Sequence, residues 1–186
     1  MELKIWCKTF LNIYRYLEKI TYAIDKIVLT TGLNMQLEAE VSAKKMIELT
    51  ERKVKLINLK LFIENMLNTL NEEHTKLLML KYVDNIKSEE IAKLFNISNR
   101  TFFRKSTHAL TSFELALKRA GKTAEILFKE YKDEAWIIDL YEKLYLQESV
   151  STTKKNTEKL KNLSSPNIIN LAYDNYKKLN TIRAFN

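Results

Sequence analysis

The chain has 186 residues and a formal net charge of +8, from 31 Lys and Arg against 23 Asp and Glu. Hydrophobic residues make up 46% of it, which excludes global disorder, while 2 Gly and 1 Pro are too few for the turns of a sheet protein. One Cys and 2 His exclude an intramolecular disulfide framework and argue against a zinc site, and the basic balance favours a polyanionic partner.

Residues 2–30 read as one long helix. Leu3, Trp6, Phe10, Ile13, Leu17, Ile20, Ile24 and Ile27 recur at alternating intervals of 3 and 4, a heptad seam. Thr30-Thr31-Gly32 supplies its stop. A second helical stretch, from about 35 to 70, carries Val41, Ile47, Val54, Ile57, Leu61, Leu67 and Leu70 as its apolar spacing. With Gly32 between the two, residues 1–70 are expected to form an antiparallel helical hairpin that dimerises or braces the chain. Spacing alone leaves open whether the hairpin closes within one chain or between two. The aromatics Trp6, Phe10, Tyr14, Tyr16 and Tyr22 are expected to pack rather than to bind a ligand.

Residues 71–121 are the most densely patterned. Asn71 is placed to cap a helix whose first turn holds Glu72 and Glu73, and Leu77, Leu78, Leu80, Tyr82 and Val83 give that helix its apolar surface. Asp84-Asn85 ends it. Ser88 is expected to cap a short helix from Glu89 to Phe95, Asn96-Ile97 to turn the chain, and Ser98 to cap a helix running to about Ala120, with Gly121 just past its end. Over residues 122–148 acidic side chains outnumber basic ones, and the stretch reads as an amphipathic helix with Trp136, Ile137, Leu140, Tyr141 and Leu144 on one face. That helix either packs on the preceding domain or forms a free arm for a partner. Residues 149–165 read as a linker, and Pro166 can open a last helix over 166–186, docked by Ile168, Ile169, Ala172, Tyr176 and Leu179. The expected class is all-α: a long N-terminal helical hairpin, then a helix-turn-helix domain, then C-terminal helices.

The helix-turn-helix reading rests on a steric code. Two helices crossing steeply around a short turn need a small residue at the crossing and apolar residues on both sides of the turn. Ala92 beside Ile91 meets the first need, and Phe95, Ile97 and Phe102 meet the second. Asn96 stands where Gly is usual, and Asn is the best non-Gly residue for a left-handed conformation. With Phe102, Ser106, Ala109 and Phe113 inward, Asn99, Arg100, Phe103, Arg104 and Thr107 point outward as candidate base readers. Lys87, Ser88, Lys93, Ser98, Thr101 and Lys105 are candidate phosphate contacts. Between Lys93 and Lys122 Glu114 is the one acid among seven cations.

The run from Leu70 to Tyr82, then Ser88-Glu-Glu-Ile-Ala92, Ile97-Ser98 and Arg100-Thr-Phe-Phe-Arg-Lys105, resembles the region 4 domain of bacterial sigma factors. The layout of a helical hairpin before such a domain is similar to phage-encoded, sigma-like transcriptional regulators of low-GC Gram-positive bacteria. The resemblance implies promoter recognition by Asn99, Arg100, Phe103 and Arg104, and contact with RNA polymerase. No segment before residue 70 looks like a promoter-melting region, so a stand-alone sigma factor is not expected.

Enzyme chemistry finds no support. Gly32 and Gly121 stand alone, so there is no Gly-rich phosphate loop, and Cys7 has no His near it in sequence. No cofactor is expected. No apolar stretch approaches a membrane span and the N-terminal residues do not read as a signal peptide, so the expected location is cytoplasmic and no membrane partner is expected. The expected function is sequence-specific binding of double-stranded DNA in transcription regulation, with RNA polymerase as a further partner and a homodimer through the N-terminal helices. The alternative is a helical protein-interaction or recruitment module, polymerase-associated or part of phage packaging or assembly, that reads no regulatory DNA.

Overall fold

Every regular element in the computed structural model, which describes residues 2–33, 38–152 and 166–181, is a helix. In chain order these are α1 (Leu3–Gly32), α2 (Ala39–Asn68), α3 (Glu72–Leu78), α4 (Ser88–Leu94), α5 (Asn99–Arg119), α6 (Ala124–Tyr131), α7 (Ala135–Thr152) and α8 (Pro166–Thr181). The all-α class expected from the scarcity of Gly and Pro is therefore met. The helices form two compact units, Met1–Arg15 with Phe62–Thr157, and Tyr16–Leu61 with Glu158–Asn186.

The second unit is built on the distal halves of α1 and α2. Lys60 pairs with Glu18 (3.3 Å), Lys53 reaches both oxygens of Asp25 (2.7 and 2.9 Å), and Ser42 donates to the carbonyl of Thr31 (3.0 Å). The partners run in opposite order, so the hairpin is antiparallel and closes within one chain. On α1 the seam holds as expected: Leu17, Ile20, Ile24 and Ile27 are buried. On α2 the expected stripe is corrected. Ile47, Val54, Ile57 and Leu61 are 60, 49, 40 and 52% exposed, and Leu49, Leu56 and Leu59 are buried in their place, with Ile63 and Leu67 continuing that row. α2 carries two apolar stripes of helical period, and the ion pairs to α1 flank the one that is buried. Tyr22 is likewise exposed rather than packed. In α8, Ala172 and Tyr176 are fully buried, as docking of that helix requires, and the side chain of Leu179 lies outside the described residues.

In the first unit the opening turns of α1 sit deep inside. Ile5, Trp6, Cys7, Phe10, Leu11 and Ile13 are all 0% exposed. Trp6 stands within 4.8 Å of Tyr141, 5.5 Å of Phe10 and 6.1 Å of Tyr131 between ring centroids, and Phe10 meets Tyr131 edge-on at 5.8 Å. Offset and edge-on aromatic pairs of this kind add to the burial of their surface. They lock α6 and α7 onto α1, aided by the Lys8–Glu148 ion pair and by the Glu2 amide donating to the Tyr141 hydroxyl (2.9 Å). The acidic stretch is thus packed into the unit and is not a free arm.

The single helix expected over 122–148 is in fact two. Leu127 and Tyr131 set one stripe that ends on Glu134, which is fully buried and accepts from the Trp136 indole N–H (3.2 Å), while Trp136, Ile137, Leu140 and Tyr141 set the buried stripe of the second helix. The break at Lys132–Glu134 separates the two. α7 then runs through Thr152, so the first four residues of the expected linker are helical, and 153–165 lie outside the described residues.

Candidate nucleic-acid interface

Local chemistry shapes each helix end in the region from Asn71 to Gly121. Asn71 accepts a hydrogen bond from the His74 amide (2.7 Å), capping α3 as expected. After Leu78 the helix widens into a π turn, Met79–Val83, in which the Asp84 amide bonds to the carbonyl of Met79 (2.9 Å). Arg15 donates to the Val83 carbonyl (2.8 Å), filling an acceptor left open where the helix ends, and Asn85 turns the chain with φ +56°. Lys87, not Ser88, occupies the N-cap position of α4; Ser88 is its first helical residue, and its hydroxyl makes no cap.

The turn between α4 and α5 follows the expected code. Asn96 takes φ +52°, the Asn96 amide bonds to the carbonyl of Lys93 (3.0 Å), and the Ile97 amide reaches back to the carbonyl of Ala92 (2.9 Å). This is a Schellman termination with Asn in the left-handed position. Ser98 caps α5 by accepting from the Thr101 amide (3.2 Å). At the far end Gly121, φ +72°, repeats the pattern, with the Lys122 amide bonded to the carbonyl of Leu117 (3.0 Å).

α5 packs against α3 and α4 through a core of Leu77, Ile91, Ala92 and Phe102, ringed by Leu80, Ile86, Phe95 and Ile97. Ala92 is the small residue at the crossing, 3% exposed, and Phe102 is fully buried. Further along, Ser106, Ala109, Leu110, Phe113 and Leu117 keep one face of α5 inside. Lys81 reaches the Ser106 hydroxyl (2.8 Å) and lies 5.4 Å from the centre of the Phe102 ring. Burial lowers its pKa below the ordinary lysine value. Nothing in the spacing around Lys81 marks it as the residue that ties the π turn to α5.

The five candidate base readers share the opposite face. Asn99, Arg100, Phe103, Arg104 and Thr107 are all exposed, Phe103 at 54%. The Thr107 hydroxyl donates back to the Phe103 carbonyl (2.9 Å), which leaves its oxygen as an acceptor. The candidate phosphate contacts divide. Lys87 and Lys93 are exposed; Ser88 and Thr101 are half-buried, and Ser98, although exposed, is occupied as the α5 cap. Lys105 is half-buried and ion-paired with Glu73 of α3, a partner the sequence pattern does not indicate. Of the other cations from 93 to 122, Lys118 pairs with Glu114 (2.7 Å) and Lys122 with Glu130 (2.6 Å). For Lys93, Arg100, Arg104 and Arg119 no ion pair occurs among the described residues. Two of these four, Arg100 and Arg104, lie on the outward face of the first turns of α5.

Beside this region Thr75, Lys76, Met79, Leu80, Leu94 and Phe95 line a mostly apolar groove of about 480 Å³. Leu94, at its edge, is 73% exposed. Among the described residues no group of three or more His, Cys, Asp or Glu is placed to hold a metal ion, and no helix is long and apolar enough to cross a membrane.

Residues 36–114 are similar to a family described as a protein of unknown function, DUF1492. The similarity takes in α2 to α4 and most of α5, and stops before α6. No curated protein and no solved structure matches the chain.

Proposed function

We propose that the chain binds double-stranded DNA sequence-specifically, with α4 and α5 acting as a helix-turn-helix, and that it regulates transcription in the manner of a sigma region 4 domain. One observation carries the reading. Asn99, Arg100, Phe103, Arg104 and Thr107 lie exposed on one face of the first turns of α5, while Phe102, Ser106 and Ala109 on the other face are buried. The first turns of the second helix are the part that enters the major groove in such motifs. Arg100 and Arg104 suit bidentate contact to guanine, Asn99 suits adenine, and Phe103 suits a thymine methyl. Lys87 and Lys93 suit the flanking phosphates, and Lys105 joins them once phosphate displaces Glu73.

Selection from random duplexes by the full chain, repeated across salt concentrations, tests this. An enriched motif is expected, and Arg100→Ala or Arg104→Ala should cost about 1–3 kcal/mol on it and relax preference at one position. Absence of any motif, or undiminished binding by both variants, would refute the reading.

A second reading, a recruitment module that holds a protein such as RNA polymerase without reading DNA, draws on the groove under Leu94. An apolar helix is the kind of ligand that fits such a groove. Pull-down of polymerase by a chain that selects no duplex motif would favour it.

A further inference from the structure

We propose that Glu73 of α3 is a built-in competitor for DNA phosphate at Lys105, and that it holds back the sequence-independent part of the affinity. This role rests on the reading of α5 as the helix that meets DNA, and adds to it a residue from outside the helix-turn-helix. Ser98, Thr101 and Lys105 are spaced by 3 and 4, so they share one strip of α5. At about 100° per residue that strip runs between Arg104 on the outward face and the buried Phe102 and Ala109. The edge of a groove-reading face is where the phosphates of the flanking backbone pass. α3 packs on α5, and there Lys105 Nζ donates to a carboxylate oxygen of Glu73.

The pairing is selective on both sides. Glu72, the neighbouring acid, is held by Lys76 of its own helix (2.6 Å), which leaves Glu73 as the carboxylate that reaches α5. Arg100, Arg104 and Lys105 are the cations in the first two turns of α5, and among the described residues Lys105 is the one held by an acid. The contact is also exchangeable. Lys105 and Glu73 keep 36 and 44% of their side-chain surface exposed. An ion pair at that exposure contributes little in water and weakens with salt. A phosphate arriving at Lys105 therefore displaces the carboxylate, but the exchange trades one anion for another. The charge of Glu73 also stays close to the incoming phosphate. Both effects subtract from binding wherever phosphate meets Lys105, whatever the base sequence.

Equilibrium binding of the full chain to its selected duplex and to a random-sequence duplex, across salt concentrations, tests this. Glu73→Gln should tighten binding to both by about two- to fivefold, the range of one exposed ion pair. It should also steepen the fall of log affinity with log salt by about 0.9, the effect of one more neutralised phosphate. Glu72→Gln removes an equal charge from the same turn without freeing Lys105, and should tighten binding less. In a Lys105→Ala background, Glu73→Gln should gain no more than Glu72→Gln does. A Glu73→Gln chain that binds no tighter than wild type, that Glu72→Gln matches, or that gains as much without Lys105 as with it, would overturn the proposal. The reading of α5 fails separately. A chain that selects no motif, yet binds random duplex more tightly on Glu73→Gln and only when Lys105 is present, would refute sequence reading and uphold the competitor. A chain that binds no duplex, as wild type or as Glu73→Gln, would overturn both.

Discussion

α5 and α2 use amphipathicity in opposite ways. α5 sorts its residues into one apolar face and one polar, basic face, with Phe103 and Leu115 as the large apolar residues left outside. α2 carries apolar residues on two sides and buries one of them. A helix with one face in the core and a water-facing cationic surface is suited to an anionic partner. A helix with two apolar stripes is suited to sit between two others. The difference lies in the polar residues as much as in the apolar ones: Arg100 and Arg104 interrupt any second stripe on α5, and no charge interrupts the row from Val54 through Ile57 to Leu61 on α2.

The sharpest way to break this comparison is to truncate one residue of each kind. Phe102→Ala should lower stability by about 3–5 kcal/mol in denaturant titration, from lost burial and the cavity left behind. Ile57→Ala should change it by less than about 0.5 kcal/mol. Equal losses would mean that both faces of α2 belong to the chain's own core.

On the polar side, Arg104→Ala and Lys105→Ala should part company. The first should cost about 1–3 kcal/mol on the selected duplex and nearly nothing on a random one, and the second should weaken both alike and flatten the salt dependence. Matching profiles for the two would remove the distinction between reading and anchoring drawn along α5.

Ser98→Ala should cost about 1 kcal/mol of stability, by freeing the Thr101 amide at the start of α5. The same substitution at Ser88 should cost clearly less in the same titration, because the Ser88 hydroxyl caps nothing.

The smallest effect at neutral pH comes from Tyr82. Burial pushes its hydroxyl up from 10.0 to about 12. The folded state then holds its proton through a range in which the unfolded chain releases it. The contribution of Tyr82 is therefore nil below about pH 10 and lowers stability between pH 10 and 12. Unfolding followed against pH should show that decline, and Tyr82→Phe should soften it, leaving Tyr131, Tyr141 and Cys7, which burial also raises, to supply what remains.

Much of the architecture was legible in the residues because it is set within a few positions of chain. Asn71, Ser98, Asn96 and Gly121 each perform the capping or turning role that their side chains suggest. The α1 seam is buried because its apolar residues repeat at one period with charges between them. The outward face of α5 was legible for the same reason, since placing Phe102, Ser106, Ala109 and Phe113 inside leaves the five candidate readers outside. Ser88 shows where such reasoning falls short: Ser88 and Lys87 compete for one N-cap position, and the extended backbone of Lys87 settles it. The Glu73–Lys105 and Lys81–Ser106 contacts join residues 32 and 25 positions apart, and no local pattern signals them.

The sequence by itself determined the helical class, the tight turn at Asn96 and the cationic face near Arg100, because each follows from dihedral preference, capping or a single apolar period acting over one or two turns, whereas closure of the hairpin within one chain rests on contacts between residues up to 42 positions apart. Tertiary structure alone decided which stripe of α2 is buried, that the acidic C-terminal stretch splits into α6 and α7 and packs on Trp6, and which cations are neutralised. These outcomes depend on which surfaces meet. Two apolar stripes on one helix both satisfy its period, and a neighbour that excludes water from one of them decides which is buried.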